Sequence, residues 1–514
     1  MIARLITFRA ERLAFWGAVL AGGMIFWLSP RLPMADLAQH AAQITLFRDL
    51  AVGQSKWASL VHINWFTPYI VGYAATFLLS LALPISTAIA TLLTLSYWVS
   101  IAFLVALRKK IGGDERLDWL FIPGFFGFAF AWGFYPFLLA EPLAVIVIYL
   151  SWCHARAPGY RIGATLLLFD ILLFFSHGLA FLLANAIGGL FLLVAFRSWS
   201  RLIGAATPFI LCAILCLAFV AIHVPNESAA SETFLDVHFD WRLSRLGYLL
   251  FFPSGNPKAD WLFAPLRMVM AVAPLLLFCR LNRQSLAAWV PILVLLVVWL
   301  AVPNAAMNTI YLYQRFDVFL LAFYALVFRP PERPGAGPVW LKRAASAYLP
   351  ILCVTFLVVQ GERVVAFGAE SADFDELLAD AQPGQRALSL ILDNRSPAAR
   401  NTIGYNSFAL WYQALKHGLV DYNFSLTHTA VVRYRRAHEP PDLTEAGWSA
   451  DKFGWDSAMP GPYRYFFVRH TGPLPSGYGL SGKCAPVHLK SVGAWTVFEN
   501  VNCYSDAFLE RSTN

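Results

Sequence analysis

The 514-residue chain lacks most of the short signatures that mark a catalytic or ligand site. It has no HExxH and no CxxC, which removes the metal frameworks built on them. A P-loop is absent, and so is a GxGxxG in the strand–helix context that would make it a nucleotide fingerprint. This argues against an ATP-driven pump. Charge is scarce: 14% of residues are Asp, Glu, Lys or Arg, against 58% hydrophobic and 15% aromatic. A mean hydropathy of +0.57 lies far above that of a soluble enzyme. The net charge of +8 sits largely in short loops between apolar runs, where Lys and Arg set topology, so no nucleic-acid partner is implied. No cleavable signal is evident. The apolar run Leu13–Leu28 is long for a signal h-region, and Ser29-Pro30-Arg31 is a poor cleavage site.

What is there is apolar and long. Many runs approach the roughly 20 residues that cross a bilayer. They predict a polytopic α-helical membrane protein, with about 11–13 spans over residues 1–360. A soluble α/β domain follows over 361–514. Arg4, Arg9 and Arg12 precede a first span at about 13–30, which predicts a cytoplasmic N-terminus. Loop 31–66 then lies outside, as does a long polar loop at 224–262. Further apolar segments fall near 68–84, 86–107, 118–135, 137–153, 162–176, 178–196 and 202–223, then 263–279, 286–303, 315–329 and 345–360. Basic loops such as Arg108-Lys109-Lys110 belong to the cytoplasmic side. To place them there, either one early segment does not cross or the Gly- and Pro-broken stretch 118–153 crosses an odd number of times. In the C-terminal part, Arg386–Asp393, Tyr463–Val468 and Trp495–Glu499 read as strands and Ser407–His417 as a short helix. Cys484 and Cys503 are a candidate disulfide in an exported domain; the other five cysteines sit in or beside apolar spans.

One polar stretch organises the chain. Arg31 to Gln43 follows the first span, and Pro33 suits the opening turn of a helix. From Met34 to about Leu50 no residue breaks a helix. On that helix Asp36, His40, Gln43 and Phe47 share a face, so a carboxylate and an imidazole are presented together. The competing reading is a solvated polar face, with Asp36 placed near a helix N-terminus for electrostatic reasons. Asp36 with His40 also offers two ligands to a divalent metal ion, with a third needed from elsewhere.

The other polar residues assigned to the outer face form the rest of the candidate site. They include His62 and Asn64; Glu141, in the run Gly133-Phe134-Tyr135-Pro136-Phe137-Leu138-Leu139-Ala140-Glu141; and His177. Trp241 and Arg242 lie in the long loop, and Tyr311, Tyr313, Gln314, Arg315 and Asp317 near the start of a late span. Ionisable groups at the ends of spans are costly to keep and often functional. Each also has a structural reading. On that reading Glu141 caps a broken helix, His177 is satisfied at a tight turn, Arg315 and Asp317 pair with each other, and Trp and Tyr form an interface belt.

These motifs resemble glycosyltransferases of the GT-C type. The resemblance is carried by Asp36 shortly after the first span, by the Asp36-x-x-x-His40 pattern and by the Gly-Phe-Tyr-Pro-Phe-Leu-Leu stretch. Ser176-His177-Gly178 and Gln314-Arg315-Phe316 add to it. It narrows to a little-characterised bacterial branch and covers most of the membrane part. A second acidic residue that many members carry near the first Asp is absent, and His40 takes a nearby place. The resemblance implies a multi-pass protein of the bacterial inner membrane with a periplasmic C-terminal domain. It also implies a polyprenyl-phosphate sugar donor and a glycan, lipid or protein acceptor. Asp36 would be the general base and His40 would orient it or share the proton. Arg315 would stabilise the departing lipid phosphate, with Arg48 or Lys56 as alternatives. Trp241, Tyr311 and Tyr313 would stack on sugars, and Glu141, His177, Gln314 and His62 would line the substrate site. A single displacement by this route inverts the anomeric centre.

Three other functions compete. A transporter or lipid flippase predicts charges near mid-span and related halves, whereas the polar groups here gather at one face. A non-catalytic envelope-assembly protein predicts that Asp36→Asn is silent. A polysaccharide polymerase or ligase predicts a late outer loop dense in Arg, and 224–262 has only Arg242 and Arg245.

Overall fold

The computed structural model describes residues 2–514 except 197, 228–262, 307–308, 333–338, 401–402, 441–449, 454, 456–460, 476–477, 479–484, 502 and 505–514. The chain is mostly helical, and its C-terminal region contains a sheet. Its helices begin with α1 (Ile2–Met24), α2 (Leu37–Ala51), α3 (Ile70–Ser80) and α4 (Ile85–Ile111). They continue with α5 (Phe128–Trp132), α6 (Tyr135–Arg156), α7 (Tyr160–Phe174), α8 (Gly178–Ala195), α9 (Trp199–Ala205) and α10 (Thr207–Glu227). A helix at Val290–Ala301 and one at Val339–Leu378 come later. Two compact units form: residues 1–26 with 92–362, and residues 27–91 with 363–514.

Among the described residues α4, α6, α8 and the run Ala347–Leu378 are long and apolar enough to cross a membrane; residues 92–111 of α4, all of α6 and α8, and residues 347–362 of the last run belong to the first unit. Their outward faces are apolar. Leu182, Leu190 and Leu193 on α8 are exposed, as are Leu211, Ile214 and Leu217 on α10 and Ile351, Val354 and Val358 near the end of the unit. Spacings of three and four residues put each set on one helical stripe, and apolar surface on this scale needs a non-aqueous neighbour. The expected span at 13–30 is shifted: the helix ends at Met24, a 3-10 turn covers Ile25–Trp27, and Pro30 closes off any continuation. The expected apolar segment 118–135 is broken into 3-10 turns at Glu115–Phe121 and Gly124–Phe126 and the short α5. Arg108, expected as a loop charge, is instead buried. Its guanidinium donates to Asp118 at 2.8 and 2.6 Å, and Arg12 donates to the same carboxylate at 2.7 Å.

In the second unit α2 is central, and most of its residues are buried. Strand β1 (Val61–Ile63) precedes α3. Two-residue bridges in the first unit, β2 (Arg280–Leu281) with β5 (Phe328–Arg329) and β3 (Ala305–Ala306) with β4 (Thr309–Ile310), complete the strands before residue 386. Strands β6 (Arg386–Ile391), β7 (Leu419–Asp421), β9 (Tyr465–Arg469), β10 (Val487–Val492) and β11 (Trp495–Glu499) form one sheet, ordered β10-β11-β9-β6-β7. β6 runs parallel to β7 and β9; the β9–β11 and β11–β10 pairs are antiparallel. Alternate residues of a strand face opposite sides, and here both sides are covered. Phe466 and Val468 join Leu388, Leu390 and Trp455 on one face; Phe467 meets Phe374 and Tyr412 on the other. β8 (Val432–Tyr434) pairs with β1 instead. The expected helix Ser407–His417 is a 3-10 turn at Phe408–Leu410 followed by Trp411–Lys416, with His417 as a left-handed cap. Cys503 is disulfide-bonded, while Cys484 lies outside the described residues.

Candidate active site

Each unit holds part of the predicted site. In the second unit Asp36 is the residue before α2, in the N-cap position, and is half-buried. Its side chain does not cap the helix. Ser407 Oγ instead donates to its Oδ1 over a long 3.5 Å. The carboxylate therefore sits at the positive end of the helix dipole, where negative charge is favoured. One turn on, His40 is buried, with Nδ1 2.6 Å from the Tyr73 hydroxyl and its ring tilted against Phe424 at 5.2 Å.

The solvated face offered as the competing reading of this helix is not what forms. Gln39 donates to the Tyr422 carbonyl at 3.0 Å and accepts from the Phe424 N–H at 3.0 Å. Gln43 donates to Ser425 Oγ at 2.7 Å and accepts from the Val432 N–H at 3.1 Å. Thr45 donates to the Ala414 carbonyl at 3.0 Å. Both glutamines are buried, so each polar atom needs the partner it has.

His62 lies in β1, directly opposite Arg433 of β8. Its Nδ1 is buried without a hydrogen-bond partner. Burial first, then the charges of Arg433 and Arg435, hold its pKa below the ordinary value. A neutral, partly sheltered imidazole is the result.

In the first unit the Gly133-Phe134-Tyr135-Pro136 run turns one helix into another. Gly133, at φ +80°, caps α5 in the left-handed region, and Pro136 enters the first turn of α6. That junction presents Phe134 and Phe137. Arg315 lies 3.9 Å over the Phe134 ring and donates to the carbonyls of Tyr311 and Ile310 at 3.2 and 3.0 Å. His177, in the N-cap position of α8, meets the Phe137 ring edge-on at 5.0 Å, and Phe316 packs on the same ring at 5.6 Å. Glu141, one turn along α6, is buried and accepts from the Ser100 hydroxyl. Gln314 donates to Asn304 at 2.6 Å, and its own carbonyl oxygen is buried without a partner. Tyr313 is buried beside it.

The pairing of Arg315 with Asp317 offered by the sequence is replaced. Asp317 is gripped by both guanidinium nitrogens of Arg267 at 3.0 Å. This contact depends on Gly127, where a Cβ would collide with Asp317 Oδ2. Trp241, Arg242 and Arg245 lie outside the described residues.

No feature of the sequence pointed to Tyr73, Phe424, Arg267 or Trp132. Trp132 meets Tyr311 with ring centroids 4.4 Å apart and stacks on Phe134. Its only signal was proximity to the Gly-Phe-Tyr-Pro run. Among the described residues no group of three or more His, Cys, Asp or Glu is gathered as a metal centre requires, so the third ligand that Asp36 and His40 would need is not found there.

No protein-family model matches the chain. No curated protein matches it either. Among solved structures it is similar to ArnT from Cupriavidus metallidurans, crystallised in the apo state. The TM-score is 0.55 at 11% identity, over 96% of this chain and 99% of that one. ArnT is a GT-C glycosyltransferase. This chain has the GT-C fold. At that identity the likeness concerns the architecture of a membrane protein, and the chemistry has to be argued from the side chains.

Proposed function

We propose that the protein is a membrane glycosyltransferase of GT-C type, acting on the outer face of the bacterial inner membrane with residues 361–514 in the periplasm. It moves a sugar from a polyprenyl-phosphate donor to an envelope glycan, lipid or protein. The observation that carries this is Asp36: a half-buried carboxylate at a helix N-terminus, one turn from a histidine fixed by a 2.6 Å bond to Tyr73. An ArnT-like fold, which suits a lipid-linked donor, supports the same reading.

In the reaction the acceptor hydroxyl attacks the anomeric carbon and loses its proton to Asp36. The bond from that carbon to the lipid phosphate oxygen breaks as the new one forms, and the configuration inverts. His40, oriented by Tyr73, positions or shares the proton. Arg315, in the first unit, is the cation proposed for a lipid phosphate. Tyr311 and Tyr313 serve the sugar, joined by Trp132, which is added on the strength of its packing against Tyr311. Glu141, His177 and Gln314 of the first unit and His62 of the second are the further substrate-binding candidates.

The test compares the glycan and lipid profile of the native envelope carrying wild-type protein with one carrying Asp36→Asn at equal expression. The expected result is loss of one sugar from one glycan, a transfer rate lower by a factor of about 100 or more, and accumulation of the prenyl-linked donor. An unchanged profile, with the variant still rescuing a deletion strain, would sink Asp36 as the base and favour a non-catalytic role in envelope assembly.

A further inference from the structure

At the other end of α2 from Asp36 the second unit contains a cavity of about 710 Å³. Arg48 closes the last turn of α2 and Asp49 follows it. The Asp49 carboxylate accepts from Arg48 at 3.3 Å and lies 2.6 Å from His417 Nδ1. Lys56 enters from the following loop, its ammonium 4.6 Å over the Trp57 ring. Two backbone conformations shape the wall. Gly384 takes φ +65° and its N–H donates to the Lys416 carbonyl at 2.7 Å. His417 takes φ +56°, which a non-glycine residue adopts at a cost. The His417 backbone is held there by the Trp57 indole N–H, which donates to its carbonyl at 3.1 Å.

Two permanent cations and an imidazole thus line a space whose one carboxylate is already engaged. The lining favours an oxyanion. The rim is apolar: Val52 and Leu81 are 45% and 58% exposed. Leu81 ends α3, a short apolar helix whose Leu78 is also exposed. A cationic floor beside an exposed apolar rim, on a protein with membrane-length helices, matches an amphiphile with an anionic head. Asp36 and Asp49 stand 13 positions apart, or roughly 20 Å along a helix axis, so this is a second site.

We infer that the cavity bounded by Arg48, Lys56 and His417 binds the phosphate headgroup of an anionic membrane phospholipid, whose acyl chains lie along Val52, Leu78 and Leu81. The inference does not rest on the transfer reaction, and its readout is binding alone.

The experiment is native mass spectrometry of the full chain in detergent, titrated with phosphatidylglycerol or with phosphatidylcholine, while thermal unfolding of each variant is recorded. Wild-type protein is expected to hold the first phosphatidylglycerol about tenfold more tightly than phosphatidylcholine. Arg48→Gln with Lys56→Gln is expected to erase that preference, and the charge-preserving Arg48→Lys with Lys56→Arg to keep it. Lys56→Gln alone changes an exposed side chain, so it tests the charge without touching the core; it should lower the preference about threefold. Equal retention of the two lipids by the wild type would overturn the inference. So would a preference that survives both Gln variants. Displacement of the lipid by millimolar inorganic phosphate would assign the cavity to a free oxyanion and overturn the lipid assignment.

Discussion

His62 shows how placement changes the meaning of a residue. In the sequence it is one polar group among several in a loop. In the fold it stands across a strand pair from Arg433, and burial with two nearby arginines keeps it short of protons. The folded state therefore binds fewer protons at this ring than the unfolded chain does. Its contribution to stability is present above the ordinary value of 6.5 and declines as pH falls through and below it. Replacing Arg433 with Ala should raise the His62 pKa, read from its ring proton shifts in an NMR titration. An unchanged titration would mean that burial and Arg435 set it without Arg433. Arg315 makes the same point with its charge intact: backbone carbonyls and the Phe134 ring fix its orientation, so it is aimed by groups that carry no charge of their own.

Among the elements, α2 matters most. A helix rich in Ala with Gln at two inward positions could form at a surface, but here its amides substitute for strand pairing. Gln43 alone bridges to Ser425 and to the Val432 backbone. Gln43→Leu keeps the bulk and strands both partners, so we expect a loss of about 2–3 kcal/mol in unfolding free energy, with faster amide exchange at Val432. A smaller loss would mean that water replaces the amide.

The turn between the 3-10 segment at Gly124–Phe126 and α5 is the second sensitive element. Gly127→Ala would drive a methyl group into Asp317 and loosen the buried Arg267 pair. Breaking such a pair costs about 3–5 kcal/mol, so the variant should melt earlier in detergent. Gly127→Ser should do no better, since the clash comes from the Cβ.

For the whole molecule, the exposed apolar stripes on α8 and α10 ask for a lipid neighbour. Ile214 is 57% exposed near the middle of α10, where an aspartate costs about 2.5–3.5 kcal/mol to insert. Ile214→Asp is accordingly expected to lower the fraction of protein that resists alkaline extraction from membranes. Full retention would mean that this stripe faces protein or water.

Local pattern determined much of this protein. Runs of apolar residues set α4, α6 and α8, and short apolar runs marked β6 and β11 to within two residues of their ends. Glycine and proline set the junction at residues 133–136. The place of Asp36 at the start of α2 was legible too, because its position after the first apolar run and its spacing to His40 are short-range features. Where the fit failed, the partners were distant. Gln43 meets Ser425 across 382 residues, and His40 takes its orientation from Tyr73 and Phe424. Asp317 turns to Arg267 rather than to its neighbour Arg315, and Asp49 meets His417. A short window records what a segment prefers to become. It does not record which buried atom will lack water and need a partner, since that depends on what the rest of the chain brings to the same place. The helices and strands were therefore determined by sequence, while the surroundings of Asp36 and the cavity at the far end of its helix were decided only in the tertiary structure.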